Sequence, residues 1–172
     1  MTGAEEIRLD EDDLIVSKTD PKGRITYANR RFMEIAGYSE PQLLGKPHNL
    51  IRHPEMPRGV FRFMWATLQA GQEFFGYVKN RTSDGGYYWV FANVTPDYTA
   101  NSQLAGYFSV RRRPNRAAIQ QVSHWYRQMR AIESQQSASK APEASMQWLL
   151  DQVAAQGCTY NELVRQLESL PE

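Results

Sequence analysis

The chain has 172 residues with 20 lysines and arginines against 19 aspartates and glutamates. That length suits one main core plus an extension, and the near-neutral balance supplies no whole-molecule field for nucleic acid or an anionic membrane. A single cysteine, Cys158, excludes an internal disulfide, a paired-cysteine redox motif and a cysteine-rich zinc site, so any redox chemistry must come from a bound cofactor.

The N-terminal stretch MTGAEEIRLDEDD is acidic where a secretion signal needs a basic start and an apolar run. It is expected to be a cap or disordered segment over residues 1–12. No later run approaches the roughly eighteen apolar residues of a membrane span. The expectation is therefore a soluble, cytoplasmic protein. LIVSKT (14–19) and RITYAN (24–29) are β-branched runs joined by the turn Asp20-Pro-Lys-Gly23, which predicts a hairpin. Asn29 is placed to cap a helix over RRFMEIAG that stops at Gly37, with Phe32, Ile35 and Ala36 on its apolar face. Phe32 and Tyr27 read as core. Ser39 and Gln42 have the spacing of a capping box before a short helix, PQLLG.

Next comes KPHNLIRHPEMP (46–57), with two histidines, an arginine, a glutamate and three prolines in twelve residues. The prolines predict a stiffened loop between two helices, with a low entropy cost for holding the side chains it carries. His48 and His53 are poorly spaced for a shared metal, because they are not four apart on a helix and prolines interrupt them. After Pro57, the run RGVFRFMWATLQAG repeats apolar residues at helical spacing, with Val60, Phe61, Met64, Trp65 and Leu68 on one stripe. Three strands are expected at 74–82, 87–99 and 104–113, the first two joined by Ser83-Asp-Gly-Gly86.

The pattern changes near RRRPNR (111–116). Ile119, Val122, Tyr126, Met129 and Ile132 define an amphipathic helix over 116–134, which must bury its stripe on the domain or on a partner. Residues 135–145 read as a polar linker and 146–172 as a helical hairpin with a second capping box at Thr159 and Glu162. The whole is α+β, a five-stranded antiparallel sheet with short helices on one face, followed by C-terminal helices. No nucleophile elbow, phosphate-binding glycine loop or paired carboxylates mark an enzyme.

Four blocks, TDPKGRITYANRRFMEIAGYS, LLGKPHNLIRHPEMP, FMWATLQAG with VKNRTSDGGYYWVFANVTP, and GYFSVRRRP, resemble PAS sensor domains, and the PHN and RHP motifs resemble those of bacterial aerotaxis receptors. The likeness covers about residues 13–116. It implies a PAS domain over 13–115 that holds FAD non-covalently and reports redox state or oxygen in energy-sensing signal transduction of the aerotaxis and chemotaxis type. Aerotaxis receptors continue into a membrane segment and a signalling coiled coil, so a chain of this length is expected to be a stand-alone soluble PAS protein or an excised piece.

What the resemblance implies for individual residues follows from what a flavin needs: an apolar slot, an amide-like partner for its pyrimidine edge, and cations for its phosphates. Phe61, Trp65, Phe74, Tyr88 and Val90 are the slot candidates. Asn80 is the pyrimidine-edge candidate, since an amide donates and accepts at once. Asn29 combines a cap with the family position that affects FAD binding. Arg52 is a phosphate or ribose ligand, His53 a flavin or phosphate donor, and Glu55, where the family usually has aspartate, orients either cation. His48 is scaffold. Haem with His53 as axial ligand is the cofactor alternative, and a cofactor-free interaction module is another. A homodimer through the C-terminal helices and a downstream signalling protein are the expected partners.

Overall fold

The computed structural model describes residues 4–172. The three residues before them, part of the expected N-terminal segment, lie outside the described ones. The chain divides into two compact units, one made of the chain up to His53 with Gly71–Arg113, the other of Pro54–Ala70 with Pro114–Glu172.

The first unit is a five-stranded antiparallel sheet of β1 (Ile15–Thr19), β2 (Ile25–Ala28), β3 (Phe74–Arg81), β4 (Tyr87–Tyr98) and β5 (Leu104–Arg112), in the order β2-β1-β5-β4-β3. Local chemistry explains its turns. The carboxylate of Asp20 accepts from the backbone N–H groups of Lys22 and Arg24, both at 2.9 Å, and closes the β1–β2 hairpin. Gly106 lets β5 lie against the end of β1, because a Cβ there would collide with the Thr19 carbonyl oxygen.

Helix α1 (Arg30–Ala36) is capped by Asn29, whose side-chain oxygen accepts from Phe32 N–H at 3.0 Å, and it ends at Gly37 in the left-handed conformation. The β3–β4 turn is tied to that end, with Ser83 Oγ donating to the Gly37 carbonyl at 2.7 Å. Helix α2 (Glu40–Leu43) follows, and the Gln42 side chain accepts from Ser39 N–H at 2.9 Å. Phe32, Ile35, Leu43 and Ile51 form one core with Ile15, Tyr88, Val90 and Ala92. The sheet face bearing those strand residues is therefore the inner one, and alternation places Ser17, Thr19, Asn80 and Arg111 on it as well. Tyr27 departs from expectation: it is 48 % exposed, because β2 is an edge strand and Tyr27 sits between the inward residues Ile25 and Ala28. In the N-terminal segment, Ile7 N–H donates to the Tyr87 carbonyl at 2.8 Å and Leu9 is buried.

The second unit is helical: α3 (Arg58–Gln69), α4 (Arg116–Ser134), α5 (Ala141–Ala155) and α6 (Tyr160–Glu168). Helix α5 begins five residues before the position expected from sequence. Pro142 in its first turn presets φ, and Glu143 there suits the helix N-terminus, so the linker shortens to 135–140. Glu133 at the end of α4 joins three helices, since its Oε1 accepts from Gly59 N–H at 3.0 Å and from Ser145 Oγ at 2.6 Å. Arg62 pairs with Glu143 at 2.7 Å, and the rings of Phe63 and Tyr160 meet edge to face at 4.7 Å. The apolar stripe of α4, including Ile119, Val122, Trp125, Tyr126 and Met129, is buried within the chain itself.

Candidate functional site

The segment Leu50–His53 lies along the outer edge of β3, which would otherwise present unpaired backbone groups. A 3-10 turn over His48–Ile51 delivers it there. His53 N–H donates to the Lys79 carbonyl at 3.2 Å, Arg81 Nε donates to the Leu50 carbonyl at 3.0 Å, and Arg52 forms a β-bridge with Asn80. The backbone thus fixes Arg52 and His53 against the strand that carries Asn80. Asn80 is 3 % exposed and pairs in register with Tyr88 on β4.

Tyr88 is fully buried, and burial raises its phenol to about 12, offset in part by the Arg111 charge and the nearby Asn80 side chain. Asn80 is its polar neighbour, yet the geometry falls short of a hydrogen bond and the hydroxyl is left without a partner. The ring of His53 meets that of Tyr87 at 6.0 Å in a T-shaped contact.

On the same inner face a second polar group converges. Arg111 Nη2 donates to Ser17 Oγ at 2.7 Å, Arg111 Nη1 lies 2.9 Å from His48 Nε2, and the guanidinium stacks over the Phe32 ring at 4.6 Å. A guanidinium only donates, so His48 Nε2 is an acceptor and the neutral imidazole carries its proton on Nδ1. Ser17 Oγ, 3.3 Å from the same nitrogen, can then donate to it. Burial, followed by the charges of Arg111 and Arg52, lowers the His48 pKa to about 3, although the residue retains some solvent exposure. Burial also lowers Arg111 to about 10.

Of the ten residues singled out from sequence, Arg52, His53, Asn80 and Tyr88 come together in the first unit, and Val90 is buried in that unit's core. Phe74 is buried on the same inner face, at the far end of β3. Asn29 makes three hydrogen bonds through its amide: Oδ1 accepts from Phe32 N–H and Val16 N–H, and Nδ2 donates to the Leu14 carbonyl. This geometry ties α1 to β1. Glu55, Phe61 and Trp65 belong to the second unit, where Glu55 is exposed and both aromatics are half-buried.

Sequence reasoning missed Ser17 and Arg111. Arg111 sits in a run of three arginines that reads as a charged domain boundary, and only the alternation of β5 against β1 shows that the first of the three points inward. Among the described residues no group of three or more His, Cys, Asp or Glu could hold a metal ion, and no helix is long and apolar enough to cross a membrane.

Residues 25–111, half of the chain, match the model of the PAS fold. The chain belongs to the PAS fold family. It is 37 % identical over 141 residues to the aerotaxis receptor of Escherichia coli strain K12, covering 82 % of this chain and 28 % of the receptor. With a nitrogen fixation regulatory protein of Klebsiella pneumoniae it shares 34 % identity over 104 residues, covering 60 % of this chain and 21 % of that protein. The match thus spans little more than a quarter of the first relative and about a fifth of the second. Among solved structures, the blue-light photoreceptor Aureochrome1 LOV in its dark state aligns with a TM-score of 0.54 at 20 % identity, covering 70 % of this chain and 86 % of that one. At that identity the likeness supports the PAS architecture alone.

Proposed function

We propose that this PAS domain binds FAD non-covalently and serves as a redox sensor, with the C-terminal helices passing its state to a partner in signal transduction. The observation that carries the reading is a set of buried polar groups on the inner face: the amide of Asn80, the Tyr88 hydroxyl without a partner, and the Arg111 guanidinium, whose Nε also lacks one. Buried polar atoms left without partners cost free energy, and a ligand with a polar heteroaromatic edge would satisfy them.

These residues fit a flavin ring. Asn80 would hold its pyrimidine edge, Tyr88 and Phe74 would wall it, and Arg52 and His53, fixed along β3, would serve its phosphates or ribose. The assignment of Glu55, Phe61 and Trp65 rests on the resemblance of their motifs to those of aerotaxis receptors. Bound flavin supplies reversible electron uptake. The chain supplies orientation and a largely apolar surround, and β5 leads through Arg113, Pro114 and the helix cap Asn115 into α4. Because the apolar stripe of α4 is spent within the chain, a homodimer through the C-terminal helices would use their outer faces.

Titration of ligand-free protein with FAD, FMN and haemin tests the reading. Saturable quenching of flavin fluorescence with preference for FAD supports it, and preferential haemin binding or no binding of any of the three contradicts it.

A further inference from the structure

The inner face carries a positive charge with no negative one to match it among the described residues. Arg111 is 2 % exposed, and its contacts are all neutral: the Ser17 hydroxyl, the imidazole of His48 and the Phe32 ring. Among the described residues no carboxylate pairs with it. The effective cost of burying such an ion is several kcal/mol, and two hydrogen bonds and a ring face recover only part of that. His48 cannot relieve the imbalance, because it accepts from Arg111 and stays neutral.

We propose that Arg111, steadied by Ser17 and His48, is a positioning residue that provides the counter-charge for an electron taken up by the flavin. The proposal rests on the cofactor reading above. An external one-electron donor is oxidised as the flavin is reduced. No bond forms or breaks in the protein, and none of the three side chains releases a proton: Arg111 stays charged, His48 holds its proton on Nδ1, and Ser17 is a hydroxyl. The added negative charge is balanced by a cation already in place, in a low-dielectric surround where the attraction is strong. Arg111 stands five residues before the start of α4 in the chain, so a change in what the guanidinium must balance arises on the strand that leads into the C-terminal helices.

The test uses the full chain with Arg111→Met and Arg111→Lys, and reads the flavin midpoint potential, the affinity for oxidised FAD, and the melting temperature of ligand-free protein. Arg111→Met should favour the oxidised form, with a fall of at least tenfold in the ratio of reduced to oxidised affinity, equivalent to about 59 mV for one electron. Its ligand-free melting temperature should equal or exceed that of the parent, because a costly buried charge is gone. Arg111→Lys should keep the ratio within about threefold of the parent. A Met variant with an unchanged potential overturns the proposal, as does one with a lower melting temperature and a Lys variant that shifts the potential as far as Met does. If the parent protein binds no flavin, the cofactor reading itself fails and this assignment falls with it; bound flavin with an Arg111-independent potential sinks this assignment alone.

Discussion

Arg111 Nη1 lies 2.9 Å from His48 Nε2, and since a guanidinium cannot accept, this contact fixes the histidine as a neutral, Nδ1-protonated base. The consequence is a defined response to acid. The folded-state pKa of about 3 is below the value of about 6.5 of a free imidazole, so the unfolded chain takes up the proton first. Stability contributed by the neutral ring is complete above pH 6.5 and is lost as the pH falls toward 3, by up to ~1.4 kcal/mol per pH unit. His48→Gln keeps an acceptor and removes the titration. Denaturant unfolding between pH 7 and 4 should show a shallower decline for the variant than for the parent, and equal slopes would contradict the assigned protonation state.

Asn80 is held by the Arg52 bridge on one side and by register with Tyr88 on the other. Asn80→Ala should weaken FAD binding at least tenfold, about 1.4 kcal/mol, while the circular dichroism spectrum is retained. An alanine variant with parental affinity would remove Asn80 from the cofactor site.

Gly59 lies where α3 and α5 approach closely. A Cβ there would collide with Ser145 Oγ and come within 2.6 Å of Met146 N. Gly59→Ala should therefore destabilise the protein by about 1–3 kcal/mol. Adding Ser145→Ala should recover less than half of that loss, because the backbone of Met146 remains in the way. Full recovery in a double-mutant cycle would place the crowding in the hydroxyl alone.

Tyr27, expected in the core, lies with its side chain in solvent on β2. Tyr27→Ser should change unfolding free energy by less than about 0.5 kcal/mol. A loss above 2 kcal/mol would contradict the exposed placement.

These outcomes bear on what a sequence can disclose. The strands and helices of the sheet unit were legible because their signals are local: Asp20 and Gly23 in a turn, Asn29 and Gly37 at the two ends of α1, and an Asp-Gly-Gly hairpin after Asn80. The KPHNLIRHPEMP segment was legible as a stiff connector, and its prolines do bracket a single 3-10 turn. What it pairs with was not, since the Arg52–Asn80 bridge joins residues 28 apart in the chain and depends on the free edge of β3. The Ser17–His48–Arg111 cluster was hidden for the same reason. Each of the three looks ordinary in its own stretch; the β1–β5 register puts Ser17 and Arg111 on one face, and the 3-10 turn brings His48 to them. Helix α3 showed its apolar stripe in sequence, but not that α5 packs on it or that Glu133 reaches its first turn.

The most direct test of the cofactor reading is the visible absorption spectrum of the full chain as purified, before and after dithionite. Oxidised flavin bands that bleach on reduction and return in air, with FAD released on heat denaturation, are the predicted result. A Soret band, or a colourless protein that also fails to take up added FAD, would contradict it.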